Sequence, residues 1–199
     1  MKNLSILLVF LFLSILSFSQ RTNVIVKNDI YTVSYNEVYK QPNWVIYYIT
    51  NESKNVSRAG MNFYEVPGII TSTNADYVHN VWDKGHLAPA ATFSDTKNHL
   101  YETFSYLNCS LQRDSLNRVT WEHLENYERT ILFKTYKKLT VKVVLDFSGK
   151  IIILKSGAHV PNGFYKQIIT PTNDTLTYYF PNSVLPHDFY FYRIKNIKI

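Results

Sequence analysis

One stretch limits what this chain can become. Residues Asp114–Lys138 place Leu116, Leu124, Tyr127, Ile131 and Leu132 at helical spacing, with charged residues between them. That periodicity predicts one long amphipathic helix, with Ser115 or Thr120 as its cap. Almost everything else runs in short alternating or β-branched segments. These are Asn23–Lys27, Ile30–Tyr35, Trp44–Thr50, Asp76–Val81, Thr140–Asp146, Ile151–Lys155, Phe164–Thr170, Thr177–Phe180 and Phe189–Arg193. They read as strands, and 16 tyrosines in 199 residues suit strands better than helices. Polar Asn51–Ser57 reads as a loop, and turns are expected at Pro67-Gly68, Ser148-Gly149 and Asn173-Asp174. Many strands and one long helix make an α+β fold, a mostly antiparallel central sheet with the helix packed on it. No repeat, low-complexity tract or linker divides the chain, so residues 20–199 are expected to form a single domain.

The N-terminus follows a different rule. Lys2 gives a positive start, Leu4–Leu16 is apolar but for Ser5 and Ser14, and Ser17-Phe18-Ser19 is a small-x-small exit. This reads as a secretory signal peptide over residues 1–19, cleaved near Ser19. A membrane anchor is the other reading, but the run is shorter than the ~20 apolar residues that span a bilayer. The expected location is therefore secreted or periplasmic, with no membrane attachment after cleavage. Cys109 is the only cysteine, so no disulfide can form within the chain, and it reads as a small buried apolar residue. The formal charge of +6 would draw polyanions, but an excess of this size selects no function by itself.

Two places could carry chemistry. Asp83-Lys84-Gly85-His86 follows the strand expected at Asp76–Val81 and leads into Leu87-Ala88-Pro89-Ala90. A histidine near its ordinary pKa can take a proton from water. The glycine before it lets the backbone turn or approach a ligand, and the lysine offers charge to a phosphate. An isolated tetrapeptide of this kind also fits a structural or merely exposed histidine. On the helix, Asn117, Trp121, Glu125 and Arg129 recur every four residues and form one stripe, while Leu124, Tyr127 and Ile131 would face the sheet. Glu125 and Arg129 alone also fit an ordinary i,i+4 ion pair on a solvated face.

Taken together, these pieces resemble the DNA/RNA non-specific endonuclease family of the ββα-metal nucleases. The family's Asp-Arg-Gly-His motif is matched by Asp83-Lys84-Gly85-His86, and its following Ala-Pro by Ala88-Pro89. Thr103-Phe104, Asn108, Gln112, Leu116-Asn117, Trp121, Leu124-Glu125 and Arg129 continue the pattern in order and at the family's spacing. Trp44–Tyr48 looks like the early strand, and Gly157, Val160-Pro161 and Phe164-Tyr165-Lys166 like the late segment. The likeness spans most of residues 44–170. Lys84 departs from the usual arginine, keeping the charge but losing the planar fork, and Leu111 stands where proline is usual. An upstream arginine is expected, and Arg58 is the best candidate because Asn62-Phe63 comes after it.

The resemblance implies a ββα-metal site and a sugar-non-specific endonuclease that hydrolyses DNA and RNA, leaving 5′-phosphate ends. Asn117 would be the sole direct protein ligand of a magnesium ion, with manganese as the alternative, and Glu125 would hold waters of the ion's shell. His86 would deprotonate the attacking water. Lys84, Arg129 and Arg58 would neutralise the phosphate. Asn108 and Gln112 would orient the site, with Asp83 and Gly85 shaping the turn. At an unperturbed histidine pKa of ~6.5, activity should fall in acid. Two other readings fit the residues: a catalytically impaired nucleic-acid-binding module, suggested by Lys84, and a secreted β-rich interaction protein without chemistry. A nuclease exported as a weapon would travel with an inhibitor protein, and the expectation for this chain is simple scavenging. Oligomeric state carries no mark in the sequence.

Overall fold

The strands form where apolar side chains alternate. Leu139, Val141, Val143 and Leu145 point inward along one strand while their neighbours face partly to solvent, the period that a half-buried sheet demands. The computed structural model describes residues 19–184, 188–195, 197 and 199. The expected signal peptide, apart from Ser19, lies outside the described residues. In chain order the strands are β1 (Val24–Lys27), β2 (Tyr31–Asn36), β3 (Gln41–Ile49), β4 (Trp82–His86), β5 (Cys109–Arg113) and β6 (Leu139–Asp146). They continue with β7 (Ile152–Ile153), β8 (His159–Val160), β9 (Gly163–Ile169), β10 (Thr175–Pro181) and β11 (Arg193–Ile194). Seven of them form an antiparallel sheet in the order β1-β2-β3-β6-β9-β10-β11. The pairs β4-β5 and β7-β8 stand apart from it. Helix α1 (Lys97–Thr103) precedes β5, and the long helix α2 covers residues 114–136. The α+β architecture, a large antiparallel sheet under one long helix, is as expected.

Helix α2 is not uniformly wound. It is π-helical over Leu116–Trp121 and Glu128–Leu132, and α-helical over Glu122–Tyr127 and Phe133–Tyr136. A π turn holds more residues than an α turn and so shifts the phase of every residue beyond it. This explains a misplaced residue: Ile131, expected against the sheet, is exposed, while Leu132 and Phe133 take the inward places. Ser115 and Thr120 both lie inside the helix rather than at its cap. The helix ends just short of Lys138, because Lys137 adopts a left-handed conformation and its N–H bonds back to Phe133.

Three expected strands differ. Asp76–Val81 is not a strand. Thr73 and Asp76 close a capping box around a 3₁₀ turn at Asn74–Tyr77, and the Asn80 side chain then bonds Trp82 N–H and Asp76 C=O, so pairing starts only at Trp82. Ile151–Lys155 shrinks to the two-residue β7, whose isoleucines are exposed. Phe189–Arg193 becomes a 3₁₀ turn over Phe189–Tyr192, capped by the Asp188 carboxylate on the N–H of Tyr190, leaving only β11. β3 also begins earlier than expected, at Gln41, where a bulge between Ser34 and Tyr35 admits Pro42.

The helix is fastened to the sheet by buried charge. Lys166 of β9 and Glu128 of α2 are both fully buried, with Nζ 2.9 Å from Oε1. The contact is off the axis of a well-formed hydrogen bond and is therefore mainly Coulombic. Tyr47 of β3 donates to the other Glu128 oxygen at 3.0 Å, and the ammonium lies 4.3 Å above the Trp121 ring. The helix and the sheet share one apolar core that includes Leu116, Leu124, Val45, Val143, Phe164 and Phe180. Desolvating two charges is repaid only while both are present. Lys166→Met is expected to lose about 3–5 kcal/mol in urea unfolding, and the double variant with Glu128→Met much less than that. A single-variant loss below about 1 kcal/mol would contradict an essential pairing.

Candidate active site

The small β4-β5 pair carries the motif on a strand, not beside one. His86 pairs with Cys109, Gly85 with Ser110, Lys84 with Leu111 and Asp83 with Gln112. Strand alternation then places Asp83 and Gly85 on one face and Lys84 and His86 on the other. Gly85 is not a turn. It makes room, because a Cβ there would stand 2.6 Å from Gln112 Cβ and clash with the amide beyond it. The pair is tied to the main sheet by Gln41, whose buried Oε1 accepts from Ser110 Oγ at 2.9 Å and Leu111 N–H at 3.0 Å. Between the two strands the chain makes an excursion over residues 87–108. Asn108 closes it: its amide accepts from Ala88 N–H at 2.8 Å and donates to Ala88 C=O at 2.9 Å and Thr103 C=O at 3.0 Å.

A cavity of about 760 Å³ opens where β4, the loop before it and α2 meet. Arg58, His86, Asn117, Glu125 and Arg129 line it together. Arg118 and Glu122 line it as well, which the four-residue stripe misses. The π turn at Leu116–Trp121 widens the helix and brings the residue after Asn117 to the same side. Trp121, expected on that stripe, turns into the core against Phe164 and Phe180. Lys84, Asn108 and Gln112 are not among the lining residues. Lys84 bonds Asn74 and sits among Phe63, Tyr77 and Tyr106. Asn108 locks the backbone after His86, and the buried Gln112 amide, without a hydrogen-bond partner, fills the space left by Gly85.

The fixings around Asn117 are specific. Its Nδ2 donates to Asp83 Oδ2 at 2.9 Å. The same carboxylate takes Nε and Nη2 of Arg118 at 2.7 and 2.6 Å. Burial opposes the charge on Asp83, but Arg118 and Asn117 overcome this and hold its carboxyl below the usual range. With Nδ2 engaged, the orientation of the amide is set, and among the described residues no protein donor occupies Oδ1. Glu125 lines the same cavity. Its Oε1 is buried without a hydrogen-bond partner and lies 4.0 Å from Lys166 Nζ. Burial pushes its carboxyl up to about 7, against the pull of Lys166. No cluster of three or more His, Cys, Asp or Glu among the described residues could hold a metal. One amide and one carboxylate oxygen suit magnesium, which keeps most of its waters, better than zinc, which wants nitrogen or sulfur.

His86 lies between two aromatic rings, Phe63 at 4.9 Å and Phe104 at 5.0 Å between centroids. Its Nε2 is buried without a partner. Burial, and then the charge of Arg58, lower its pKa to about 4. The imidazole is therefore favoured in its neutral form over a wider range than an ordinary histidine.

A family model described as DNA/RNA non-specific endonuclease matches residues 14–198 of this chain. Nuclease C1 of Cunninghamella echinulata var. echinulata is 29% identical over 178 residues, covering 81% of this chain and 70% of that protein. The nuclease of Serratia marcescens is 26% identical over 170 residues, 79% of this chain and 63% of its own length. Mitochondrial endonuclease G of Bos taurus is 28% identical over 155 residues, 70% of this chain and 52% of its own. A chain in the crystal structure of the EndoG/EndoGI complex, described for the mechanism of EndoG inhibition, superposes with a TM-score of 0.73. It is 25% identical and covers 85% of this chain and 79% of its own.

The His86 environment is directly measurable. An NMR titration of its ring protons is expected to give a midpoint about 4. Arg58→Gln should raise that midpoint, because one cation no longer opposes protonation. A midpoint at the ordinary ~6.5 in the unaltered protein would show that the ring is not desolvated in this way.

Proposed function

This chain belongs to the DNA/RNA non-specific endonuclease family, and we propose that it hydrolyses phosphodiester bonds of both DNA and RNA with a magnesium ion at Asn117. The observation that carries this reading is the Asp83–Asn117 hydrogen bond, which fixes the helix amide against the strand that bears His86. Neutral His86 takes a proton from a water placed in line with the phosphorus. The new oxygen–phosphorus bond forms as the bond to the 3′ oxygen breaks, leaving a 5′-phosphate and a 3′ oxygen that takes a proton from solvent water. Arg58 and Arg129 face the phosphate from two sides of the cavity, where positive charge counts most as negative charge grows. Asn117 would hold the ion directly and Glu125 would hold its water shell; the bound ion would offset charge on a phosphate oxygen and the departing oxygen. Manganese has the same preference for oxygen donors and would serve in its place.

The cavity residues address the phosphodiester, and phosphate contacts carry no sequence information directly. This supports action on both sugars with weak base preference. The reading as an impaired binding module leans on Lys84, whose ammonium is held by Asn74 outside the cavity lining. Export to the periplasm or medium is proposed from the pattern of residues 1–19. An inhibitor protein that occludes the cavity is a proposed partner, in line with the EndoG/EndoGI complex.

The test is the purified protein with plasmid DNA and with RNA, in magnesium and in EDTA, beside His86→Ala. Both substrates should be cut only with the metal, and loss of the base should lower the rate by ~10²–10⁴. Cutting that persists in EDTA, or a His86→Ala variant as active as the wild type, would overturn the assignment.

A further inference from the structure

The active-site cavity does not end at Arg129. A second cavity of about 400 Å³ continues from it and shares Asn55, Ala91 and Arg129 with the first. Ligand sites generally measure roughly 300–1,000 Å³, so this one is large enough for a nucleotide. Its apolar lining comes from Ile49 and Phe133, both buried. One lip is the C-terminal half of α2, with Asn126, Thr130 and Lys134. The exposed Lys134 ammonium and the Asn126 side chain have no ion pair or hydrogen bond among the described residues. The opposite lip holds Asn55, whose Oδ1 accepts from Ser53 while its amide nitrogen is unengaged, and Glu52. Glu52 repels a phosphate, so an anion entering here is confined to the Arg129–Lys134 side. Both cations come from α2 and line the same cavity.

We propose that this second cavity binds the nucleotide next to the scissile phosphodiester. The flanking phosphate meets Lys134, and the amides of Asn55 and Asn126 meet sugar or base edges. The proposal rests on the nuclease reading for the identity of the scissile phosphate. Amides both donate and accept, so such a subsite tolerates every base. It also sets the direction in which the strand runs along α2, from the catalytic cavity toward the C-terminal end of the helix.

The experiment uses the full chain carrying His86→Ala, so that the probe survives, and fluorescence anisotropy with a labelled single-stranded DNA eight-mer and a dinucleoside monophosphate. Adding Lys134→Ala should weaken the eight-mer several-fold and reduce the slope of log affinity against log salt by ~0.7, one phosphate contact. The dinucleoside monophosphate has no flanking phosphate and should show no such difference. Lys138→Ala, an exposed lysine outside the cavity, is the control for bulk charge. An eight-mer affinity and salt slope that respond equally to Lys134→Ala and Lys138→Ala would overturn the subsite. The nuclease reading is judged separately by cleavage in magnesium with His86 intact. Cleavage without a specific Lys134 effect removes the subsite alone. A specific Lys134 effect in a chain that never cleaves keeps the site and removes the nuclease reading.

Discussion

Everything at the site depends on how α2 sits on the sheet, and that is decided by a buried ammonium. Lys166 reaches from β9 into the core and stands 2.9 Å from one oxygen of Glu128, while Tyr47 donates to the other. Close packing of the shared apolar core resists sliding of the helix. The buried ion pair adds to this, because separating the charges in a medium of low dielectric leaves each of them unpaired. The rotation of α2 is thereby fixed, and with it the direction of Asn117, Glu125 and Arg129. Lys166 also lies 4.0 Å from Glu125. The group that locks the helix therefore also favours the charged form of a carboxyl that burial pushes toward neutrality.

The second fixing runs from the strand side. Asp83 and His86 lie on opposite faces of β4 and have separate tasks. Asp83 reaches across to Asn117 and Arg118, joining β4 to the first turns of α2. His86 is set against Phe63 and Phe104, where burial and the charge of Arg58 disfavour its protonation. Gly85 between them is needed for neither chemistry nor a turn, but for the Gln112 side chain that lies against it. The motif is thus a packing unit as much as a candidate catalytic one. The loop residue Arg58 completes the cavity opposite the helix.

Much of this is legible in the sequence, and the failures have physical causes. Period-2 alternation finds β6, β9 and β10 because each buries one face. The long helix is visible because Leu116, Leu124 and Leu132 all reach the core. Its detail is not visible, since a four-residue stripe assumes uniform winding and α2 contains two π-helical stretches. That assumption puts Trp121 in the stripe and Ile131 in the core, and overlooks Arg118. β5 and α1 escape the pattern because Cys109–Arg113 is buried along four of its five residues and shows no alternation, while α1 spans only seven residues. Lys166 stands out in the sequence only as part of the family likeness. A lysine in the middle of an apolar strand, with a glutamate near the centre of the facing helix, is the signal that could expose the pair.

In the proposed division of labour, Asn117, oriented by Asp83, would hold the metal and His86 would not. Electron paramagnetic resonance of Mn²⁺ added to the metal-free protein tests it directly. The wild type should bind one ion per chain, His86→Ala should keep it unchanged, and Asn117→Ala should lose it. Binding that survives Asn117→Ala, or that disappears with His86, would contradict it.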